Sequence, residues 1–254
     1  MYIYLMSLKK AIKIILGLIV TVTILILIRI SIRVFIGDWF PVNTNSMIPT
    51  IIPGDKIWVN KLIFGARIYK NFRFFDGDSL QTFRVKGWRK IRRGDVVVFN
   101  APITKFGIDS ITFRIDYVYV KRCVGLPGDT VDIQNQENEW NKWDIIDRTS
   151  RQSFSGAIYV PMKGDTLYMN NLNRKLYRTV IKYETGGLIP QEYHIFRNNY
   201  YFMYGDNLFQ SFDSRNFGFV PEEFIIGVSK RVLFNNYRGW KQKFNGRRVL
   251  KRFR

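Results

Sequence analysis

Cysteine and histidine are nearly missing from this chain of 254 residues, where Cys123 and His194 each stand alone. A single cysteine excludes a disulfide within the chain, and one residue of each kind excludes a Cys/His zinc site. A Ser-His-Asp mechanism would have to use His194 itself, so the usual general base exists in one copy only. Acid is scarce as well: 20 Asp and Glu face 40 Lys and Arg, a net charge of +20. Such a surplus favours contact with polyanions, either nucleic acid or an anionic membrane surface, and charge alone does not choose between them. With histidine so rare, attention turns to lysine as a base. Core material is plentiful, at 46% hydrophobic and 16% aromatic residues, which excludes wholesale disorder in a chain long enough for one large or two small domains.

From Ile14 to Ile28 the chain reads fifteen residues without a charge, after Lys9, Lys10 and Lys13 and before Arg29 and Arg33. As a helix this run rises about 22 Å against about 30 Å of hydrocarbon, and snorkelling by Lys13 and Arg29 lengthens the span to residues 11–36. A cleaved secretory signal has a similar charged start and short apolar run. Arg29-Ile-Ser-Ile-Arg33-Val-Phe stands where its small-residue cleavage site would be, which favours an uncleaved anchor behind a short basic N-terminus at 1–10. The near-absence of polar residues on any face argues against a buried core helix. Positive residues flank both ends and specify orientation only weakly.

After Gly37 the pattern changes to short apolar runs, each behind a Gly-Asp pair: Lys56-Ile-Trp-Val after Asp55, Val96-Val-Val-Phe after Asp95, Thr130-Val-Asp-Ile after Asp129, and Thr166-Leu-Tyr-Met after Asp165. Glycine supplies a positive φ, aspartate bonds its own turn, and β-branched and aromatic residues follow. The fold class expected is mainly β. The pairs recur 34 to 40 residues apart without other similarity, which marks turn chemistry rather than a repeat array. The organisation expected is a catalytic β domain at 37–134 and 201–228, interrupted by a smaller inserted β subdomain at 135–200 that opens with a polar stretch. Residues 229–254 hold ten Lys or Arg and no acid, and read as a basic tail near lipid headgroups.

Two segments carry candidate chemistry. In Asn43-Thr44-Asn45-Ser46-Met47-Ile48-Pro49-Thr50 a serine precedes an apolar residue and a stiffening proline; without a base and oxyanion donors Ser46 is only a turn residue. In Asp116-Tyr-Val-Tyr-Val-Lys121-Arg122-Cys-Val-Gly-Leu-Pro-Gly-Asp129, strand alternation puts Tyr119, Lys121 and Cys123 on one face and Val120, Arg122 and Val124 on the other. If either face is buried, one cation lies in apolar surroundings, and a desolvated Lys121 becomes a general base. On an edge strand both side chains would instead reach solvent.

A third segment, Tyr204-Gly-Asp-Asn207-Leu-Phe-Gln-Ser211-Phe-Asp213-Ser214-Arg215, is dense in turn formers and hydroxyls. Ser46-Met-x-Pro-Thr behind a single span, Gly54-Asp55 with Asn60-Lys61, Arg93-Gly-Asp-Val-Val-Val-Phe, Lys121-Arg-x-Val-Gly-Leu-Pro-Gly-Asp, and Gly205-Asp-Asn with Ser211-x-Asp-Ser-Arg follow in that order. The series resembles bacterial type I signal peptidases from about residue 40 to 228. The resemblance implies a Ser-Lys dyad, with Ser46 as nucleophile and Lys121 as general base, independent of histidine, metal and cofactor. It implies an oxyanion hole from the Ser46 backbone N–H and the Thr44 hydroxyl, a Ser211 hydroxyl that orients the lysine ammonium, and a supporting ion pair between Asp213 and Arg215. Val42, Met47, Ile51, Tyr119 and Val120 match positions that line shallow pockets for small side chains, which would give Ala-x-Ala preference. Leu208 stands where many members have arginine, and Cys123 where a small aliphatic residue is common; a packed Cys123 is the simpler reading.

The expectation is therefore a membrane-anchored serine endopeptidase that removes signal peptides from secretory preproteins. It would sit singly in the bacterial inner membrane among anionic phospholipids, with its catalytic domain on the extracytoplasmic side and no nucleic-acid partner. A non-catalytic anchored β module binding anionic partners is the alternative. The self-cleaving Ser-Lys domain of SOS-response repressors shares the dyad, but the span from Ile14 to Ile28 argues against it.

Overall fold

The computed structural model describes residues 2–71, 80–103, 110–133, 156–235 and 248–253. Helix α1 runs over Tyr2–Ser31 and continues through a π-helical turn at Ile32–Ile36. Its stretch Ile12–Ile36, 25 residues, is long and apolar enough to cross a membrane and is not buried in the protein. It extends about 37 Å, sufficient for a bilayer core of about 30 Å. Thr21 and Thr23 donate to the carbonyls of Gly17 and Ile19, at 2.8 and 2.9 Å, so neither threonine hydroxyl in the span is left without a partner. The helix already includes most of 1–10, where a separate basic terminus was expected, because nothing from Tyr2 to Lys10 breaks a helix.

Four of the Gly-Asp pairs, those ahead of Lys56, Val96, Thr130 and Thr166, make the same turn. Gly54, Gly94, Gly128 and Gly164 have φ of 87°, 86°, 88° and 93°. Asp55, Asp95, Asp129 and Asp165 each accept, on the side chain, the backbone N–H three residues earlier, at 3.0, 2.9, 2.7 and 3.0 Å. Strands β2 (Asp55–Asn60), β5 (Val96–Asn100), β7 (Thr130–Asp132) and β9 (Thr166–Tyr168) begin at or just past these turns. The main sheet adds β1 (Gly37–Pro41), β6 (Val118–Gly125), β11 (Tyr200–Tyr204), β12 (Val220–Pro221) and β13 (Ile225–Asn235). Its order is β1-β2-β13-β5-β6-β11-β12, antiparallel throughout. Short ribbons pair β3 (Arg67–Tyr69) with β4 (Thr82–Arg84), β7 with β8 (Ala157–Tyr159), and β9 with β10 (Tyr193–Ile195).

The mainly β expectation holds, and the sheet is covered on both faces. Alternation along β5 sends Val97 and Phe99 into a large core and Val96 and Val98 into a smaller one with Val42, Met47, Ile51, Ile57 and Val59. Two boundaries differ from the sequence reading. The polar stretch 135–155 lies outside the described residues, but residues 156–200 share the large core, through Val160, Tyr177, Ile181 and Phe196, and include helices α2 (Asn171–Leu176) and α3 (Arg178–Thr185). The basic tail expected from residue 229 begins inside β13, a central strand: Lys230 and Arg231 are exposed while Val232 and Asn235 are buried, and charge density had masked that pattern.

At the membrane end, Arg33 donates to Asp38 at 2.7 Å, and the Lys61 side chain and backbone donate to the carbonyls of Arg33 and Ile36 at 2.6 and 2.9 Å. Asp55, fully buried, receives Arg248 Nε at 2.8 Å and Asn235 Nδ2 at 2.9 Å, tying residues 248–253 to β2. Replacing Asp55 by Ala leaves the Arg248 guanidinium unpaired in the interior. Thermal unfolding of the full chain in detergent is expected to show a loss of about 3–5 kcal/mol; an unchanged midpoint would mean that this pair contributes no stability.

Candidate active site

Ser46 lies in the loop between β1 and β2, which the backbone closes by Val42 N–H to Asp55 O and Gly54 N–H to Val42 O, both 2.8 Å. Met47 and Ile51, each fully buried, pin the loop into the smaller core, and Ile51 N–H bonds the Met47 carbonyl at 2.9 Å. The following residue, Ile48, joins Pro49 through a cis peptide bond. From the other side Asn207 donates its backbone N–H to the Ser46 carbonyl at 3.0 Å and its side-chain amide to the Asn45 carbonyl at 3.2 Å. The Ser46 N–H itself bonds none of the described residues.

Lys121 comes from β6, opposite Val97 of β5 and on the face that Cys123 shares. Its side chain ends 2.6 Å from Ser46 Oγ, across 75 residues of sequence, and Lys121 is only 4% exposed. Burial lowers its pKa from the ordinary lysine range to about 8; Asp213 and Asp206 act to raise it and Arg215 to lower it further. Ser46 is likewise buried, at 7%, while Thr44 is exposed with its hydroxyl 3.3 Å from Ser46 Oγ. The alternation read from the sequence thus holds: Arg122 points the other way, gripping Asp206 with Nε and Nη2, each at 2.6 Å, and donating to the Gly94 carbonyl at 2.8 Å.

Behind this pair lies the turn after β11. Asp213 and Arg215 are buried and joined by Nε to Oδ1 at 2.7 Å and Nη2 to Oδ2 at 2.8 Å, and Arg215 also lies over the Tyr204 ring. Asp213 additionally accepts the Gly205 N–H at 2.9 Å, and Arg215 donates to the Leu208 carbonyl at 3.0 Å. Ser211 packs against Gly205, and its hydroxyl is buried with no hydrogen-bond partner among the described residues. The bond to the lysine ammonium suggested for it is therefore not formed here.

The five pocket residues do not share one surface. Val42, Met47 and Ile51 meet Val120 in the smaller core, whereas Tyr119 packs on Phe99 and Phe217 across the sheet. Cys123 is buried, its Sγ 3.5 Å from the Gly125 carbonyl and its thiol pKa pushed up to about 12 by burial, in keeping with a packing role. His194 lies elsewhere, in β10, bonded to buried Glu184 at 2.9 Å. Among the described residues no cluster of His, Cys, Asp or Glu could hold a metal ion. Sequence reasoning gave no role to Arg122, Asp206, Asn207 or Gly205; the Gly-Asp-Asn triplet signalled a turn, but not that it would clamp a loop 160 residues earlier.

Residues 15–234 match the family model described as "Signal peptidase, peptidase S26". The chain belongs to this family. It is similar to the Signal peptidase I of Buchnera aphidicola subsp. Schizaphis graminum, with 30% identity over 240 residues, 79% of this chain and 69% of that protein. It is 32% identical to the Signal peptidase I of Rickettsia typhi over 232 residues, 86% of this chain and 80% of that one, and 32% identical to that of Rickettsia prowazekii over 229 residues, 85% and 78%. As a member of the signal peptidase family the chain is a serine peptidase, and its N-terminal apolar helix makes it a membrane-anchored one.

A Cβ added at Gly205 would lie 2.1 Å from Ser211 Oγ and 2.5 Å from the Ser46 carbonyl oxygen, so one of them must move. Gly205→Ala is expected to lower peptidase turnover by about 100-fold while the chain stays folded. Circular dichroism and a peptide-cleavage rate on the same preparation check this, and a wild-type rate would show that the loop accommodates the methyl group.

Proposed function

We propose that this membrane-anchored peptidase removes signal peptides from secretory preproteins, with Ser46 as nucleophile and Lys121 as general base. One observation carries the reading: a buried lysine amine stands 2.6 Å from a serine hydroxyl, with its pKa lowered into the working range of a base. The name Signal peptidase I, borne by the relatives, supports the substrate class.

In this mechanism neutral Lys121 takes the Ser46 proton as Oγ attacks the scissile carbonyl carbon. The oxyanion is received by the Ser46 N–H, which has no described partner, and by the nearby Thr44 hydroxyl. Protonated Lys121 then gives its proton to the departing amine, leaving an ester on Ser46. Water, losing a proton to the same lysine, hydrolyses that ester and regenerates the serine. Asp213 and Asp206 favour the ammonium while it carries the proton, and Arg215 opposes it.

Val42, Met47, Ile51 and Val120 pack together in the smaller core next to Ser46, and apolar walls so close to the nucleophile support a preference for small side chains of the Ala-x-Ala kind. Tyr119 contributes from the opposite sheet face beside Lys121, its ring centroid 5.5 Å from Nζ. The enzyme acts as a monomer in the bacterial inner membrane, its catalytic domain extracytoplasmic. Ser46 follows Ile36 by ten residues, so the nucleophile stays near the bilayer surface where a cleavage site emerges. Sharing one bilayer with the substrate raises effective concentration without added contacts.

Ser46→Ala and Lys121→Ala are each expected to abolish cleavage of a preprotein with an Ala-x-Ala site, with folding retained; processing by either purified variant at the wild-type rate would overturn the dyad. The wild-type rate should rise with pH through an apparent pKa near 8, because only neutral Lys121 accepts the serine proton. A profile that stays flat from pH 6 to 10 would remove lysine as the titrating base.

A further inference from the structure

No linker separates the anchor helix from the β sheet. The π turn ends at Ile36, and β1 begins at the next residue, Gly37, already paired with Asn60 of β2. Gly37 N–H bonds the Ile32 carbonyl, five residues back, and so passes over the Arg33 carbonyl that an α-helical register would have used. Lys61, the residue after β2, takes that place. Its ammonium donates to the Arg33 carbonyl at 2.6 Å and its backbone N–H to the Ile36 carbonyl at 2.9 Å. A cation on open carbonyls suits the negative end of a helix.

The joint is braced a second time. Arg33 donates Nε and Nη2 to Asp38 Oδ2 at 2.9 and 2.7 Å, while Asp38 Oδ1 accepts the Trp39 N–H at 2.9 Å. Asp38 thus belongs to the strand and grips the helix. Gly37 has no slack either, since a Cβ there would lie 2.5 Å from the Val59 carbonyl oxygen and 2.6 Å from the Trp58 ring. The fixed path continues to the serine loop: β1 pairs with β2 over all five of its residues, Val42 N–H bonds the Asp55 carbonyl at 2.8 Å, and Ser46 follows four residues later.

A flexible linker would let the serine range over many heights above the bilayer. This joint holds it at one. In a preprotein, the stretch between the apolar segment and the cut is also polypeptide, which rises about 3.3 Å per residue when extended. Height above the bilayer and residue spacing in the substrate are therefore one measure. We propose that Arg33, Asp38 and Lys61 lock Ser46 at a single height, and so make the enzyme select preproteins by the number of residues between their apolar segment and the cleavage site. The proposal rests on the reading of Ser46 as the nucleophile of an anchored signal peptidase and adds a spacing rule to its preference for small side chains. All three lie outside the Ser46–Lys121 pair and act as positioning residues.

Two measurements on the full chain in lipid vesicles test this. Nitroxide labels at Leu27→Cys on the anchor and Lys163→Cys on the β domain, both exposed positions, report their separation by pulsed electron paramagnetic resonance, with the native Cys123 buried. A single narrow distance is expected, broadening in the Asp38→Ala, Lys61→Met double variant. Next, kcat/KM is measured on preproteins that share one Ala-x-Ala site and differ by single residues in the spacer before it. The wild-type chain should prefer one spacing and lose at least about tenfold two residues away from it. The double variant should flatten that profile to within about threefold. Arg33→Lys, which keeps a donor for Asp38, should retain the wild-type profile, and a soluble Ala-x-Ala peptide without an apolar segment should be cut equally by all of them. A broad distance in the wild type, a flat wild-type profile, or an unchanged profile in the double variant would each overturn the spacing rule. So would an equal loss on peptide and preprotein, which would mean damage to the dyad. A narrow distance with no cleavage of any substrate would remove the peptidase reading, and the spacing rule with it, while leaving the joint in place.

Discussion

Keeping a lysine out of water beside a serine hydroxyl is the constraint on which this structure turns. An ammonium that is 4% exposed carries a desolvation penalty, and the chain meets it by weakening the charge rather than by pairing it directly with a carboxylate. The acids that act on Lys121 are both occupied elsewhere, Asp213 by Arg215 and Asp206 by Arg122. Arg215 opposes the charge on the lysine directly, while Asp213 and Asp206 still act to keep it. A salt bridge made straight to Lys121 would instead fix the proton in place.

Position is held as firmly as charge. The serine loop is anchored from below by Met47 and Ile51 and from beside by Asn207, while the loop that carries Asn207 is held by Arg122, from the residue next to Lys121. Ser46, Lys121 and the Asn207 clamp therefore lean on one pair of adjacent residues in β6 that point to opposite faces. Gly205 leaves the space in which Ser211 and the Ser46 carbonyl meet, and it is one of the few places where a missing side chain is itself part of the site.

Much of this was legible in the residues. The Gly-Asp turns announced their strands because a positive φ and an aspartate acceptor are local demands, met within four residues. Alternation separated Lys121 from Arg122 for the same reason. The bidentate grip of Arg122 on Asp206 spans 84 residues, and no local pattern encodes such a distance. The end of β13 was hidden by its own composition: Lys230 and Arg231 look like the start of a solvated tail, yet Val228, Val232 and Asn235 are buried around them. The ordered helices α2 and α3 were likewise missed, since short helices packed on a sheet owe more to tertiary contact than to propensity.

The sheet order has a consequence in time. β13 is inserted between β2 and β5, so two strands made early in synthesis have no shared neighbour until a strand from near residue 230 arrives. The anchor helix and the serine loop thus emerge from the ribosome long before the scaffold that aligns them can close. A nascent chain threaded into the membrane carries its hydroxyl and its amine on unjoined pieces. Ser46 and Lys121 can settle into their 2.6 Å contact only after the chain near residue 230 has been added to the sheet.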